Sequence, residues 1–294
     1  MTSRIATDAS AEYKRKVGEF MPSLKMRLLT SVIAVPLVIL ILLGPTFVIT
    51  GMVMLASLIG LYEYFKATDL LKYQPLCILG FLASIVISIG ASFDTGTSLA
   101  LVYVFVGALF VAMLLSNREI SVTHIGMLIF GLIYIPYFLS HITYLRNLEY
   151  GKVFIWLVFI GAFLTDTCAY FIGCKFGKHK LCPNISPKKS VEGAVAGVIG
   201  GGLSFVIFGI IINLFFTEAI NGSFNLWLLF LLGLITAVMS EIGDLVASCI
   251  KRQFGVKDFG NLLPGHGGIL DRCDSIILVA PIIFLFLYNI NIIG

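Results

Sequence analysis

Val153-Phe-Ile-Trp-Leu-Val-Phe-Ile-Gly-Ala-Phe-Leu-Thr-Asp-Thr-Cys-Ala-Tyr-Phe-Ile-Gly-Cys174 is long enough to cross a bilayer and contains a single charge, Asp166. A membrane-spanning helix needs about 20 largely apolar residues. Comparable apolar runs lie on both sides of it. Before it come Met26–Leu43, Pro45–Phe65, Leu76–Ala91, Thr97–Ser116 and Val122–Tyr144; after it come Val191–Phe216, Phe224–Ile250 and Ser275–Ile293. The third run is short, which suits a tilted or partly re-entrant helix. Pro36 falls inside the first, and membrane helices tolerate proline. The expected fold is an all-α polytopic membrane bundle of about nine transmembrane helices.

Composition agrees. The 294 residues are 59% hydrophobic and 12% charged, with a mean hydropathy of +1.01. Soluble domains carry about 25% charged residues. A water-soluble protein, a disordered chain and a disulfide-stapled secreted scaffold are excluded. The polar start has no apolar core of a signal peptide, and the run from Met26, flanked by Lys25 and Arg27, reads as a retained helix. Glu12–Leu28 suits either a surface-lying amphipathic helix or a solvated tail.

With the N-terminus inside and nine alternating helices, 18 of the 20 Lys and Arg residues fall inside; only Arg146 and Lys152 fall outside. This bias follows the positive-inside rule and orients the chain. The six cysteines then lie at or near the cytoplasmic side, where disulfides are disfavoured. Their spacing does not match a zinc site, and they read as small buried residues.

The chain divides by character into a polar tail (residues 1–25), an N-terminal packing half (26–150) and a C-terminal catalytic half (151–294). The informative loops, 175–190 and 251–274, are both basic. Charge inside a bilayer is costly, so an ionisable residue in a span is a functional candidate. Asp166 lies in the sixth run, Glu241 and Asp244 in the eighth, and Asp271 and Asp274 at the entrance to the ninth. Ser240, Asp244, Ser248 and Lys251 form one helix stripe. Clustered oxygen ligands suit a hard cation such as Mg²⁺, held by carboxylates and substrate phosphates.

Pro183 and Pro187 shape the first loop, which ends in Pro187-Lys188-Lys189-Ser190 just before a span. Lysines and a hydroxyl at a helix N-terminus make a phosphate site. Taken on their own, the lysines are explained more readily by anchoring to anionic lipid. The second loop alternates Lys257-Asp258 and Asp271-Arg272 around Pro264-Gly-His266-Gly267-Gly268. Its glycines allow close backbone approach to a ligand, and its mixed charges suit metal and polyphosphate together.

Ser248-Cys-Ile-Lys-Arg252, Lys257-Asp258, Pro264-Gly-His-Gly-Gly268 and Asp271-Arg-Cys-Asp274 resemble the signature of the CDP-diacylglycerol synthase (phosphatidate cytidylyltransferase) family. Asp166-Thr-Cys-Ala-Tyr-Phe-Ile-Gly173, Ile185-Ser-Pro-Lys-Lys-Ser-Val-Glu-Gly193 and Gly243-Asp244-Leu245 support the likeness. The matches cover about Asp166–Asp274; the N-terminal half resembles the family in composition only. Cys273, Ala247 and Glu241 depart from the family's usual residues.

The resemblance implies that CTP and phosphatidate become CDP-diacylglycerol and pyrophosphate. It implies Asp244, Asp271 and Asp274 as Mg²⁺ ligands, a second cation such as K⁺, and Asp166 as a cation ligand or a partner that orients Lys189. Lys188, Lys189, Lys251 and Arg252 would neutralise phosphates, with Lys257 and Arg272 secondary. Ser190 and Ser248 would donate to phosphate oxygens. His266, with Gly267 and Gly268, would contact nucleotide or pyrophosphate. The expected partners are the two substrates and membrane lipids, without nucleic acid; a homodimer is implied by the resemblance alone. The expected setting is a bacterial cytoplasmic membrane, with the site facing the cytoplasm. Two rivals stay open: a CTP-dependent polyprenol or phytol kinase, and an ion-coupled transporter, for which intramembrane carboxylates serve as ion sites.

Overall fold

The computed structural model describes residues 32, 35–92, 95–116, 119–262 and 267–294. The polar tail, its expected surface helix and His266 lie outside the described residues. Residues 35–43 are helical. Eight further helices follow: α1 (Thr46–Ala67), α2 (Gln74–Gly90), α3 (Thr95–Leu115), α4 (Val122–Arg146), α5 (Gly151–Phe176), α6 (Val191–Phe215), α7 (Leu226–Gln253) and α8 (Leu270–Asn289). Five of them, α1 and α4 to α7, are long and apolar enough to cross a membrane, while Gln74–Gly90 and Tyr103–Leu115 are shorter apolar helices. The chain is an α-helical membrane protein. A small antiparallel hairpin, β1 (Lys180–Cys182) and β2 (Ser186–Ser190), in the first basic loop departs from an all-helical reading.

Apolar runs form these helices because a backbone in lipid must satisfy its own hydrogen bonds. Their ends carry the polar signals. Ser121 caps α4 in a reciprocal box with His124, Ser190 caps α6 through the Gly193 N–H, and Asn225 caps α7. Within α4, Ile133–Tyr137 forms a π-helical turn around Pro136. Proline has no N–H and crowds the preceding turn, and the wider turn accommodates it. The Tyr137 carbonyl there accepts the Ser140 hydroxyl at 2.6 Å.

In the C-terminal half α5 packs on α6, α6 on α7, and α7 on α8; α8 also contacts α4, α5 and α1. The helix α3 sits at the edge, against α2 and α4. Val195, Ile199, Leu203 and Ile207 form an exposed apolar stripe along α6. Such a face suits hydrocarbon rather than water. At one end of the bundle Ser223 and Asn225 pair with Gly294 and Ile292. At the other, the C-terminal ends of α1, α5 and α7 meet the hairpin and the N-terminal ends of α6 and α8. The candidate site occupies that second end.

Candidate active site

The helix α8 starts at Leu270, five residues before the apolar run from Ser275. Asp271 and Asp274 therefore lie in its first turns. Its N-cap, Ile269, makes no side-chain capping bond. The exposed N–H groups of such a helix start need acceptors. They find one on another helix: Glu63 of α1 accepts the Ile269 N–H at 3.1 Å and the Leu270 N–H at 2.9 Å.

Asp271 organises the loop just before α8. Its Oδ1 accepts from Lys251 Nζ at 2.8 Å, and its Oδ2 accepts from the Phe259 N–H at 2.8 Å and the Gly268 N–H at 3.0 Å. The pair is secluded, with the Lys251 side chain 11% and the Asp271 side chain 3% exposed. The Lys251 ammonium also lies over the Phe259 ring, 5.3 Å from its centroid. Both oxygens of Asp271 are thus engaged within the protein.

A second ion pair joins the hairpin to the bundle. Lys189 Nζ lies 2.8 Å from Asp244 Oδ2, with the two side chains 22% and 32% exposed. Alternation along β2 separates the neighbouring lysines: Lys188 is exposed and Lys189 turns inward. Ser248, one turn beyond Asp244, donates to its Oδ1 at 3.4 Å. Ser275 of α8 donates to Asp166 Oδ2 at 3.2 Å, which links α8 to α5. Asp274 accepts the Ser275 N–H at 2.9 Å. Asp166, Asp244 and Asp274 lie near enough to repel one another electrostatically. Lys189 and Lys251 offset that repulsion.

Asp166 is exposed although it lies well inside α5. A carboxylate at that depth faces the bundle interior or water rather than lipid. Among the described residues, no three His, Cys, Asp or Glu side chains already stand together at metal-ligating spacing.

The hairpin is held at its base by Glu192, which accepts the N–H groups of Lys178 and His179 and lies 2.6 Å from His179 Nδ1. Ser190 is buried, and its oxygen accepts the Gly193 N–H at 3.2 Å. Arg252 is exposed and reaches the Val256 carbonyl at 3.5 Å; Lys257 and Arg272 are exposed on the same segment. All six cysteines are free.

The glycines after His266 lie against acidic side chains. They accommodate carboxylates of the protein itself. Gly267 has φ +83°, and a Cβ there would lie 3.0 Å from Asp271 Oδ2. A Cβ on Gly268 or on Gly260 would collide with the Glu63 carboxylate. The Gly268 N–H is donated to Asp271.

Among the described residues, two polar side chains of the N-terminal half enter the site's surroundings. One is Glu63. The other is Tyr134, from the π-helical turn of α4, whose buried hydroxyl is within electrostatic reach of Asp274 and Asp244. The signal for Glu63 was a lone carboxylate near the end of an apolar run. Tyr134 carried only the weak signal of a nearby proline in a span. Glu241, recognisable as an intramembrane carboxylate, is buried close to Lys189, Asp166 and Asp244.

Comparison with known proteins extends the likeness beyond these motifs. A profile of the cytidylyltransferase family matches residues 25–290. A phosphatidate cytidylyltransferase of Staphylococcus haemolyticus (strain JCSC1435) is 33% identical over 267 residues, covering 90% of this chain and 99% of the relative. The protein of that name from Bacillus subtilis (strain 168) is 37% identical over 187 residues, 61% of this chain and 66% of its own. These matches include the N-terminal half, where composition alone carried the likeness. The chain belongs to the cytidylyltransferase family.

Proposed function

We propose that this chain transfers the cytidylyl group of CTP to phosphatidate, giving CDP-diacylglycerol and pyrophosphate for phospholipid biosynthesis. The observation that carries the reading is the 2.8 Å pair between Lys189 and Asp244. It sets a base of the hairpin against an acid of a membrane helix, where a polyphosphate and a lipid headgroup can meet.

An oxygen of the phosphatidate phosphate attacks the α-phosphorus of CTP. The bond from that phosphorus to the oxygen bridging the β-phosphorus breaks, and pyrophosphate leaves with the electron pair. The nucleophile is already an oxyanion at neutral pH, so no general base is required. What remains is the approach of two anions, which is served by positioning and charge neutralisation. Lys189 is placed to exchange its carboxylate partner for a phosphate oxygen. Lys188, Arg252, Lys257 and Arg272 are exposed bases at the same end and suit the attraction of the triphosphate. Ser248 is placed to donate to phosphate, and Ser190 keeps its O–H free to donate while its oxygen caps α6.

Mg²⁺ fits the donor set: Asp166, Asp244 and Asp274 offer hard oxygens, and their mutual repulsion is relieved by a cation. Those three would hold it together with substrate phosphates. The chemistry supplied by bound Mg²⁺ is neutralisation of the triphosphate and of the departing pyrophosphate. A second cation such as K⁺ would sit beside the same carboxylates. Asp271, expected among the ligands, is better read as the counter-ion of Lys251 and the acceptor that shapes the loop.

In this reading nine helices cross the membrane, and the site faces the cytoplasm, as the placement of 18 of 20 basic residues supports. The homodimer rests on the family likeness alone. The test is direct: purified chain in lipid nanodiscs, with Mg²⁺, phosphatidate and labelled CTP, releases pyrophosphate and forms a labelled liponucleotide. Phosphorylation of a polyprenol with no product from phosphatidate would overturn it.

A further inference from the structure

Glu63 lies outside the motif-bearing half of the chain and is buried, 4% exposed, at the end of α1. A buried carboxylate needs compensation. Here it comes from the first N–H groups of α8, at 3.1 Å and 2.9 Å, which lack a cap of their own. The surroundings leave Glu63 little freedom. Gly260 and Gly268 close around the carboxylate so tightly that neither position has room for a Cβ. Phe259 and Gly268, in the same loop, donate their N–H groups to Asp271. Two carboxylates thus hold residues 259–260 and 267–268: Asp271 from within α8, and Glu63 from a helix some 200 residues away. Asp274 lies one turn beyond Leu270, so the start of α8 sets where Asp274 stands relative to Asp244 and Asp166.

We propose that Glu63 is a positioning residue for cytidylyl transfer: it fixes the start of α8 together with Gly260 and Gly268 so that Asp274 and the Lys251–Asp271 pair keep their places. The role rests on the reaction proposed above. Glu63 itself is buried, with both oxygens bonded within the protein. A glutamine there would still accept one N–H, but its amide would point a donor at the other. An aspartate keeps the charge and falls one methylene short.

The experiment compares full-length wild type with Glu63→Gln, Glu63→Ala and Glu63→Asp in nanodiscs. It measures kcat and KM per monodisperse molecule, together with hydrogen exchange at the Ile269 and Leu270 amides. Displacing catalytic groups by about 1 Å costs roughly 100-fold. The expected result for Glu63→Gln is a ~10–100-fold lower kcat, with KM for CTP moving less than about threefold. Exchange at the two amides should quicken, and Glu63→Asp should recover part of kcat. Wild-type kcat in the folded Glu63→Gln and Glu63→Ala chains would overturn the proposal, and so would losses due only to fewer folded molecules. A wild-type chain that makes no CDP-diacylglycerol would instead overturn the reaction itself.

Discussion

Lys251 and Asp271 form a secluded ion pair, Nζ to Oδ1 at 2.8 Å, that ties the last turn of α7 to the first turn of α8. Removing one partner of such a pair strands a buried charge, at a cost of about 3–5 kcal/mol. Lys251→Met and Asp271→Asn are each expected to lower the temperature at which half the detergent-solubilised protein stays monodisperse. The double variant should lose less than the sum, because neither charge is stranded. Fluorescence-detected size exclusion after heating checks this, and strictly additive losses would refute the coupling. Slower turnover of Asp271→Asn is therefore expected to come with lost stability.

The Lys189–Asp244 pair calls for the opposite balance. Both side chains are partly exposed, so the pair contributes little to folding, under about 1 kcal/mol. Its worth lies in catalysis, where one phosphate-directed charge accounts for roughly 10²–10³-fold in rate. Lys189→Ala is expected to lose that much kcat while melting within a few degrees of wild type. Lys188→Ala, on the other face of β2, should lose less than about tenfold. Equal losses for the two lysines, measured as pyrophosphate release, would contradict the inward placement of Lys189.

Metal dependence separates the three carboxylates proposed as ligands from Asp271. In Mg²⁺ titrations at fixed CTP, Asp244→Asn and Asp274→Asn are expected to raise the half-saturating concentration at least roughly tenfold, the loss that even outer partners of a metal cause. Asp271→Asn should slow turnover without moving that midpoint, because its oxygens serve Lys251 and two backbone N–H groups. A shifted midpoint in Asp271→Asn alone would return it to the ligand set.

The helices were legible because lipid leaves few alternatives: the run read as Val153–Cys174 is the helix Gly151–Phe176, and that read as Val191–Phe216 is Val191–Phe215. The same rule locates Asp166 and Asp244 by their cost in a span. Pairing was not legible, since it depends on which helix ends meet. Nothing near Asp244 in sequence points to Lys189, and nothing near Glu63 points to Leu270. The hairpin was hidden by Pro183 and Pro187, which read as loop. A two-stranded pair can carry Pro187 because no further strand needs its missing N–H. Gly267 and Gly268 showed that something approaches closely, but a substrate and a protein carboxylate leave the same mark in a sequence.

Tyr134 offers a test in which the stabilising change is a deletion. Its hydroxyl is buried and has no hydrogen-bond partner among the described residues. It projects from the π-helical turn toward the side where Asp274 and Asp244 lie. An unsatisfied buried polar group costs about 1–3 kcal/mol, and replacing it with apolar surface of the same shape recovers that cost. Phenylalanine retains the ring, so the stack on Phe130, 5.4 Å between centroids, survives. Tyr134→Phe is therefore expected to raise the apparent melting temperature, by roughly 2–4 °C per kcal/mol for a chain of this size. A lower melting temperature in the variant would show that the hydroxyl is bonded in the folded protein.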